Sequence, residues 1–377
     1  MNWQRFTLIL WWFLLAVFLA ITAYYIVFHH VSPLSRDQWH MYDALLTQGV
    51  WKTSVTTVSG HRHILAFLLY DIDLKLFAGK NTFLIVVDWL LNAVFIGVLL
   101  RQIVKFVPDR LDQQYLAGWT LLLFCWLLNI ALLGWGFNGI NNYLSIVNTL
   151  ISILLLHRAV FSASQPLLWM ALSIVTGGLA TLSFGNGILV WPIGVLCLLL
   201  WRASHKFVLI FSISALVFFF LYLWLPGGDA VGNALHLNGW HSLSFPITLM
   251  GAPVYHMLRA WHWIPVAWLL PLAAVFGAAV CLAAVFVVRA SWLRHEKNNG
   301  LQSAALTLIL VGFGTVAMLM LTRVDGVLDP TVDRFQIWAL LVWFGISVLL
   351  YGDASKAAKK FGESRCYYFH YSHCRHN

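Results

Sequence analysis

Asp37, His40 and Asp43 recur every third residue in the stretch SPLSRDQWHMYDALLTQG, and a helix beginning near Ser35 would bring all three to one side. A carboxylate in such a group, just beyond an apolar run, is suited to take a proton from an attacking hydroxyl. Asp37 lies nearest the end of that run and follows Arg36, which makes it the first candidate for a general base, with His40 one turn away. The competing role is local, since Ser35 or Asp37 could simply cap the helix. Further along, His61, Arg62 and His63 form the densest polar group of the same stretch. A guanidinium offers a rigid fork of donors matched to phosphate, and a neutral imidazole can give or take a proton near pH 7. These residues would hold a phosphate-bearing headgroup, or else anchor a helix end among lipid headgroups.

Asp71 and Asp73 are two positions apart, about 200 degrees of helical turn, so they cannot share a face and do not form a chelating pair. One is expected to face the protein and the other water or Lys75. Asp88 falls seven residues into an apolar run, where a carboxylate needs a partner or a function. GWGFNGINNYLSIVNT, at 134–149, carries Asn138, Asn141, Asn142 and Asn148 among glycines, amides that suit sugar hydroxyls, helix caps or interhelical bonds. FGNGILVWP, at 184–192, is read as a turn. TRVDGVLDPTVDRFQIW sets Arg323 and Arg334 among Asp325, Asp329 and Asp333, and a cation at the mouth of a span can hold an anionic headgroup or pair with an aspartate. The tail holds Cys366, His370, His373, Cys374 and His376 at intervals that match no common zinc finger.

The elements that must position these residues are membrane helices. The 377 residues are 61% apolar and 10% charged, more apolar surface than a water-soluble interior could hide. Twenty Trp and twelve Tyr suit the many levels at which hydrocarbon meets headgroups. Crossing about 30 Å of hydrocarbon takes about 20 apolar residues, and the expected spans are 7–28, 82–104, 115–133, 144–158, 167–182, 187–201, 207–225, 264–289, 301–321 and 335–351. The fold class expected is therefore all-α, a polytopic bundle of about ten transmembrane helices. Residues 1–351 form the membrane domain and 352–377 a cytoplasmic polar tail.

The formal charge of +9 gathers at Arg101/Lys105/Arg110, Arg202/Lys206, Arg289/Arg294/Lys297 and Lys356/Lys359/Lys360. These clusters read as cytoplasmic loops, with no nucleic-acid face. They all fall on one side if 64–77 lies at the surface as an external juxtamembrane helix. That choice places both termini in the cytoplasm and makes 29–81 and 226–263 the two large external loops.

The pattern resembles the membrane-embedded glycosyltransferases of the GT-C superfamily, and more narrowly a bacterial group with short motifs along most of the chain. The matching stretches are Arg36-Asp37-Gln38-Trp39, Gly60-His61-Arg62, Gly79-Lys80-Asn81, Phe137-Asn138 and Arg334-Phe335-Gln336. Gln38 stands where that group has a second carboxylate, and Gly60 where it has a glutamate. The resemblance implies a GT-C-like fold in a bacterial inner membrane and a periplasmic active site. It implies Asp37 as catalytic base and Arg62 or Arg334 as phosphate ligands, and it leaves the need for a divalent cation open. The substrates implied are a polyprenyl-phosphate-linked sugar and an envelope lipid, glycan or protein acceptor. Arg36, His40, His61, Asn138 and Arg323 complete the expected binding set. The rival readings are a transporter or flippase of a lipid-linked sugar, in which Asp88 would line a path, and a noncatalytic partner in envelope assembly.

Overall fold

The computed structural model describes residues 3–30, 37–56, 62–162, 164–225, 239–260, 264–293, 299–323 and 329–352. The described residues are helical with short connections and contain no strand. Eight helices are long and apolar enough to cross a membrane: Arg5–His29, Thr82–Phe106, Gly136–Phe161, Pro166–Ser183, His205–Trp224, Val266–Trp292, Gly300–Leu321 and Asp333–Gly352. The chain is a multi-pass membrane protein.

In chain order the helices are α1 (Trp3–His29), α2 (Asp37–Gln48), α3 (Val50–Val55), α4 (Ile64–Phe77), α5 (Thr82–Phe106), α6 (Arg110–Phe124), α7 (Ile130–Leu133), α8 (Gly136–Phe161) and α9 (Pro166–Ser183). They continue as α10 (Val190–Leu200), α11 (His205–Trp224), α12 (Gly239–Ala260), α13 (Val266–Leu293), α14 (Gly300–Arg323) and α15 (336–352). The last span is the axis of the bundle, with 72% of its apolar stretch buried, whereas only 6% of the stretch in α11 is. Leu209, Ile213, Leu216 and Phe220 of α11 face outward, as residues that meet lipid must. Phe95, Phe124, Tyr143 and Phe344 join α5, α6, α8 and α15 in one apolar core. A second, smaller core lies under α2 and α4, where Met41, Tyr42, Leu45, Phe67 and Tyr70 pack on Leu84, Trp135 and Phe137. We call α2–α4 the cap.

Three expected stretches differ in form. The run at 115–133 breaks after Phe124: Trp126 is extended, and Asn129 donates from Nδ2 to the Leu123 carbonyl at 3.1 Å, satisfying a group at the end of α6. The polar stretch at 134–143 is not a loop, because α8 begins at Gly136 and runs unbroken to Phe161. Its glycines are where α5 touches: a Cβ at Gly136 would strike the Leu84–Ile85 backbone, and one at Gly139 would strike the Asp88 carboxyl. Small residues here permit backbones to approach closely, which is how helices associate where lipid removes the hydrophobic drive. The stretch read as the second large loop contains α12. Gly251 meets the Ala273 carbonyl and Gly277 meets the Ile247 carbonyl, so α12 runs antiparallel along α13. The polar tail from 353 onward lies outside the described residues.

Candidate functional site at the cap

α2 is amphipathic in the simplest sense. Gln38, Met41, Tyr42 and Leu45 recur at helical spacing and are buried, while His40 and Asp43 stand on the opposite, exposed face. Gln38 accepts a hydrogen bond at Oε1 from Trp135 Nε1 at 3.0 Å. The Tyr42 hydroxyl donates to Asp73 Oδ2 at 2.7 Å, and the Asn81 amide donates to the same oxygen at 3.3 Å. Burial, followed by the bond to Asp73, raises the Tyr42 phenol well above its ordinary value. Asp73 is fully buried, whereas Asp71 faces outward and pairs with Lys75 at 2.7 Å. The two aspartates thus divide as their spacing requires.

The Gly79-Lys80-Asn81 element is the hinge that returns the chain from α4 to α5. Gly79 has φ of +68° and donates its amide to the Asp73 carbonyl at 3.0 Å, and Asn81 is also left-handed at +64°. From α4, the Tyr70 hydroxyl donates to the Phe137 carbonyl at 2.8 Å and accepts from Asn141 Nδ2 at 2.7 Å. Full burial raises the Tyr70 phenol far above its ordinary range. His63 Nδ1 lies 2.9 Å from Asn141 Oδ1, an acceptor only, so the imidazole proton sits on Nδ1. The cap is therefore fastened to the head of α8 by side chains from α2, α4 and residue 63.

The expected site residues divide sharply. Asp37 is the first residue of α2, with its side chain outside the described set; Arg36 and His61 lie outside it altogether, and Arg323 closes α14 with its side chain likewise undescribed. His40 is exposed. Arg62, at 2% exposure, donates to the Val55 carbonyl and, at 2.5 Å, to the Leu225 carbonyl, with Tyr222 5.4 Å beneath it. The guanidinium joins the end of α3 to the end of α11 through Nη1 and Nη2. Burial pulls it below its ordinary value, from so high a start that it stays a cation. Asn138 donates from Nδ2 to the Ala131 carbonyl at 3.1 Å, so its amide holds α7. Arg334 sits in the turn Asp333–Phe335, which packs on that same α7, with its guanidinium 5.0 Å from the Phe335 ring centre. His256 of α12 donates from Nε2 to the Thr331 carbonyl at 2.7 Å and lies 3.6 Å from Asp333, pinning this turn from the other side.

Asp88 is fully buried on α5 against Gly139, and neither carboxyl oxygen has a hydrogen-bond partner among the described residues. The partner that its depth called for is absent there. Among the described residues no three His, Cys, Asp or Glu side chains gather as a metal site, and Cys366, His370, His373, Cys374 and His376 lie outside them.

Sequence reasoning missed Gln38, Tyr42, Tyr70, Trp135 and Asn141 as a connected set. The 38/41/42/45 spacing marked the buried face of α2, but no spacing rule joins residues almost a hundred positions apart. The arrangement is a polar end of a membrane bundle, with a carboxylate-bearing helix start, a buried arginine and an arginine-bearing turn carried on elements that share the α7–α8 junction. No protein-family profile, no curated protein and no solved structure matches this chain.

Proposed function

We propose that the protein is a GT-C-like membrane glycosyltransferase that moves a sugar from a polyprenyl-phosphate donor to an envelope lipid, glycan or protein acceptor. One observation carries the reading: the short motifs around Asp37, Asn81, Asn138 and Arg334, far apart in sequence, belong to elements gathered around the head of α8. Gln38, next to Asp37, bonds Trp135; Asn81 joins the Tyr42–Asp73 pair; Asn138 and the Arg334 turn both bear on α7. The proposed setting is a bacterial inner membrane with cytoplasmic termini, which faces the cap to the periplasm.

In the proposed step, Asp37 takes the proton of the acceptor hydroxyl as its oxygen bonds to the anomeric carbon. The bond from that carbon to the phosphate oxygen breaks, and its electron pair leaves on the polyprenyl phosphate. Direct displacement inverts the anomeric centre. Arg334 meets the charge growing on the departing phosphate, and Arg62 acts through position, joining residues 55 and 225 through their carbonyls. Asp37→Asn is expected to cut transfer by about a hundredfold or more while donor binding persists. The measurement uses purified protein and a labelled polyprenyl-phosphate sugar, and unchanged transfer would remove Asp37 from the mechanism.

Asp88 favours a second reading, a transporter or flippase of a lipid-linked sugar, since a buried carboxyl without a partner in a span is a common device for coupling movement to protons. Donor crossing vesicle membranes with no transfer, and loss of crossing in Asp88→Asn, would establish that reading instead. Neither transfer nor crossing would leave the noncatalytic envelope role.

A further inference from the structure

An open groove of about 460 Å³ runs between α13 and α14, within the roughly 300–1,000 Å³ typical of ligand sites. Ala284, Val285 and Val288 of α13 line it together with Ile309, Leu310 and Phe313 of α14. It exists because α13 lies along α12 and stands off from α14. Its α13 wall extends from Cys281 to Trp292, a rise of about 17 Å. Half of a hydrocarbon core of about 30 Å is about 15 Å, so the groove has the depth of one leaflet.

The groove reaches the end of the bundle away from the cap. α5 leaves the cap hinge at Asn81 and ends at Phe106, and Gly300, the first residue of α14, sits against Gln102 and Phe106. α13 arrives at that same end with Arg289 and Trp292, both exposed and both on the groove. The lining is apolar throughout, so Arg289 lends it the carbon stem while its guanidinium stands beyond the wall, as a long cationic side chain does at a membrane boundary. Among the described residues Arg289 has no hydrogen bond and no ion pair. The described acids of this end are committed elsewhere: Asp109 caps α6, and Asp112 accepts from the Tyr351 hydroxyl at 2.5 Å. Arg101 and Lys105 of α5, Arg158 of α8 and Arg202 after α10 add further positive charge at this end.

We infer that the groove binds an anionic phospholipid, with one acyl chain along the α13–α14 wall and the phosphate on the Arg289 guanidinium. A guanidinium meets phosphate oxygens with paired donors, and an indole such as that of Trp292 settles where chain gives way to headgroup. Charge decides between lipids. A zwitterionic phospholipid offers the same phosphate but brings a cation of its own to an end already crowded with arginine and lysine, whereas an anionic one brings none. A free phosphate would leave the apolar groove bare. The inference stands apart from the glycosyl-transfer reading and survives its failure, since the groove lies at the opposite end of the bundle from the cap.

The test is photolabelling of the purified full chain in phosphatidylcholine nanodiscs, with trace phosphatidylglycerol bearing a mid-chain diazirine in one sample and phosphatidylcholine bearing the same chain in another. Phosphatidylglycerol is expected to label peptides containing 281–292 about fivefold more strongly. The two lipids should label the outward face of α11, at 213–220, equally, which separates a site from ordinary lipid contact. Arg289→Gln, at an exposed position without a described bond, should bring phosphatidylglycerol down to the phosphatidylcholine level. Arg202→Gln, at the same end but outside the groove, should leave the preference in place. Val285 is 66% exposed, so Val285→Trp fills the groove without entering the core and should lower both labels at 281–292 severalfold. Equal labelling of 281–292 by the two lipids overturns the inference, and so does a preference that survives Arg289→Gln or labelling that survives Val285→Trp. Labelling of α11 but not of 281–292 by either lipid, as when a second copy of the chain covers the groove, overturns it as well.

Discussion

In the cap, directional bonds join α2 to α4, Tyr42 to Asp73, and join both to the head of α8, Gln38 to Trp135 and Tyr70 to Phe137 and Asn141. In the α12–α13 pair the backbones themselves touch at Gly251 and Gly277, and α15 reaches α12 where Trp343 donates to the Met250 carbonyl at 2.9 Å. α13 is one of the eight apolar spans and α12 lies along it, so the difference follows the solvent around α13. Within hydrocarbon an apolar side chain gains nothing by leaving lipid for protein, so association depends on close van der Waals fit and small residues. At the membrane boundary, water supplies a drive to bury Met41, Leu45 and Phe67, and the polar groups buried with them must find partners. One region is specified by shape and the other by hydrogen-bond complementarity.

Gly251→Leu is the hardest blow to that contrast. The new side chain would begin inside the Ala273 carbonyl, a backbone atom that cannot turn away, so the helices must part along their length. A loss of about 3 kcal/mol or more is expected, read as a shift in the detergent-induced unfolding midpoint. A variant of wild-type stability would show that α12 is not packed on α13 by backbone contact.

Tyr42→Phe comes next, at about 2 kcal/mol, because it removes a donor from a buried carboxylate. It has a second signature in pH. The Tyr42 phenol is raised in the folded protein, so its contribution is fully present below the ordinary tyrosine value of 10.0 and is lost as pH climbs from there toward the folded value. The wild-type cap should loosen in the alkaline range above about 10, read by hydrogen exchange in α2, while Tyr42→Phe should lose part of that alkaline dependence. Identical alkaline curves for the two proteins would mean that the Tyr42–Asp73 pair does not fasten the cap.

Much of this was legible in the sequence where one residue's environment follows from its neighbours. Most spans follow from length and apolarity, and the opposed fates of Asp71 and Asp73 follow from helical turn. The break after Phe124 was not legible, because LFCWLLNIALL is apolar except for Asn129, and only the bond from Asn129 back to Leu123 reveals a helix end. Gly136 and Gly139 fall in the gap left between the expected spans 115–133 and 144–158 for an equally physical reason: glycine serves both tight turns and close helix contacts, and which it serves depends on a partner fifty residues away. At the candidate site, Gln38 looked like a lost carboxylate, yet it is the buried residue that bonds Trp135 beside Asp37. Arg62, expected as a phosphate ligand, also has two donors engaged by backbone carbonyls, a structural role its charge did not announce. Charge identifies what a side chain can bind, whereas burial decides what it does bind.

The smallest expected effect separates the two aspartates of α4. Lys75 is 64% exposed and pairs with Asp71 one turn away, a geometry in which solvent screens the attraction and two long side chains lose freedom to hold it. Lys75→Ala should therefore change stability by no more than about 0.5 kcal/mol, and the change should fade further in high salt. Asp73 lies two residues on, of the same chemical type, but it is enclosed with Tyr42 and Asn81, where salt cannot reach. If Lys75→Ala cost as much as Tyr42→Phe, surface charge would be holding the cap, and its division into a buried polar fastening and a solvated outer face would fail at the residue pair that displays it most plainly.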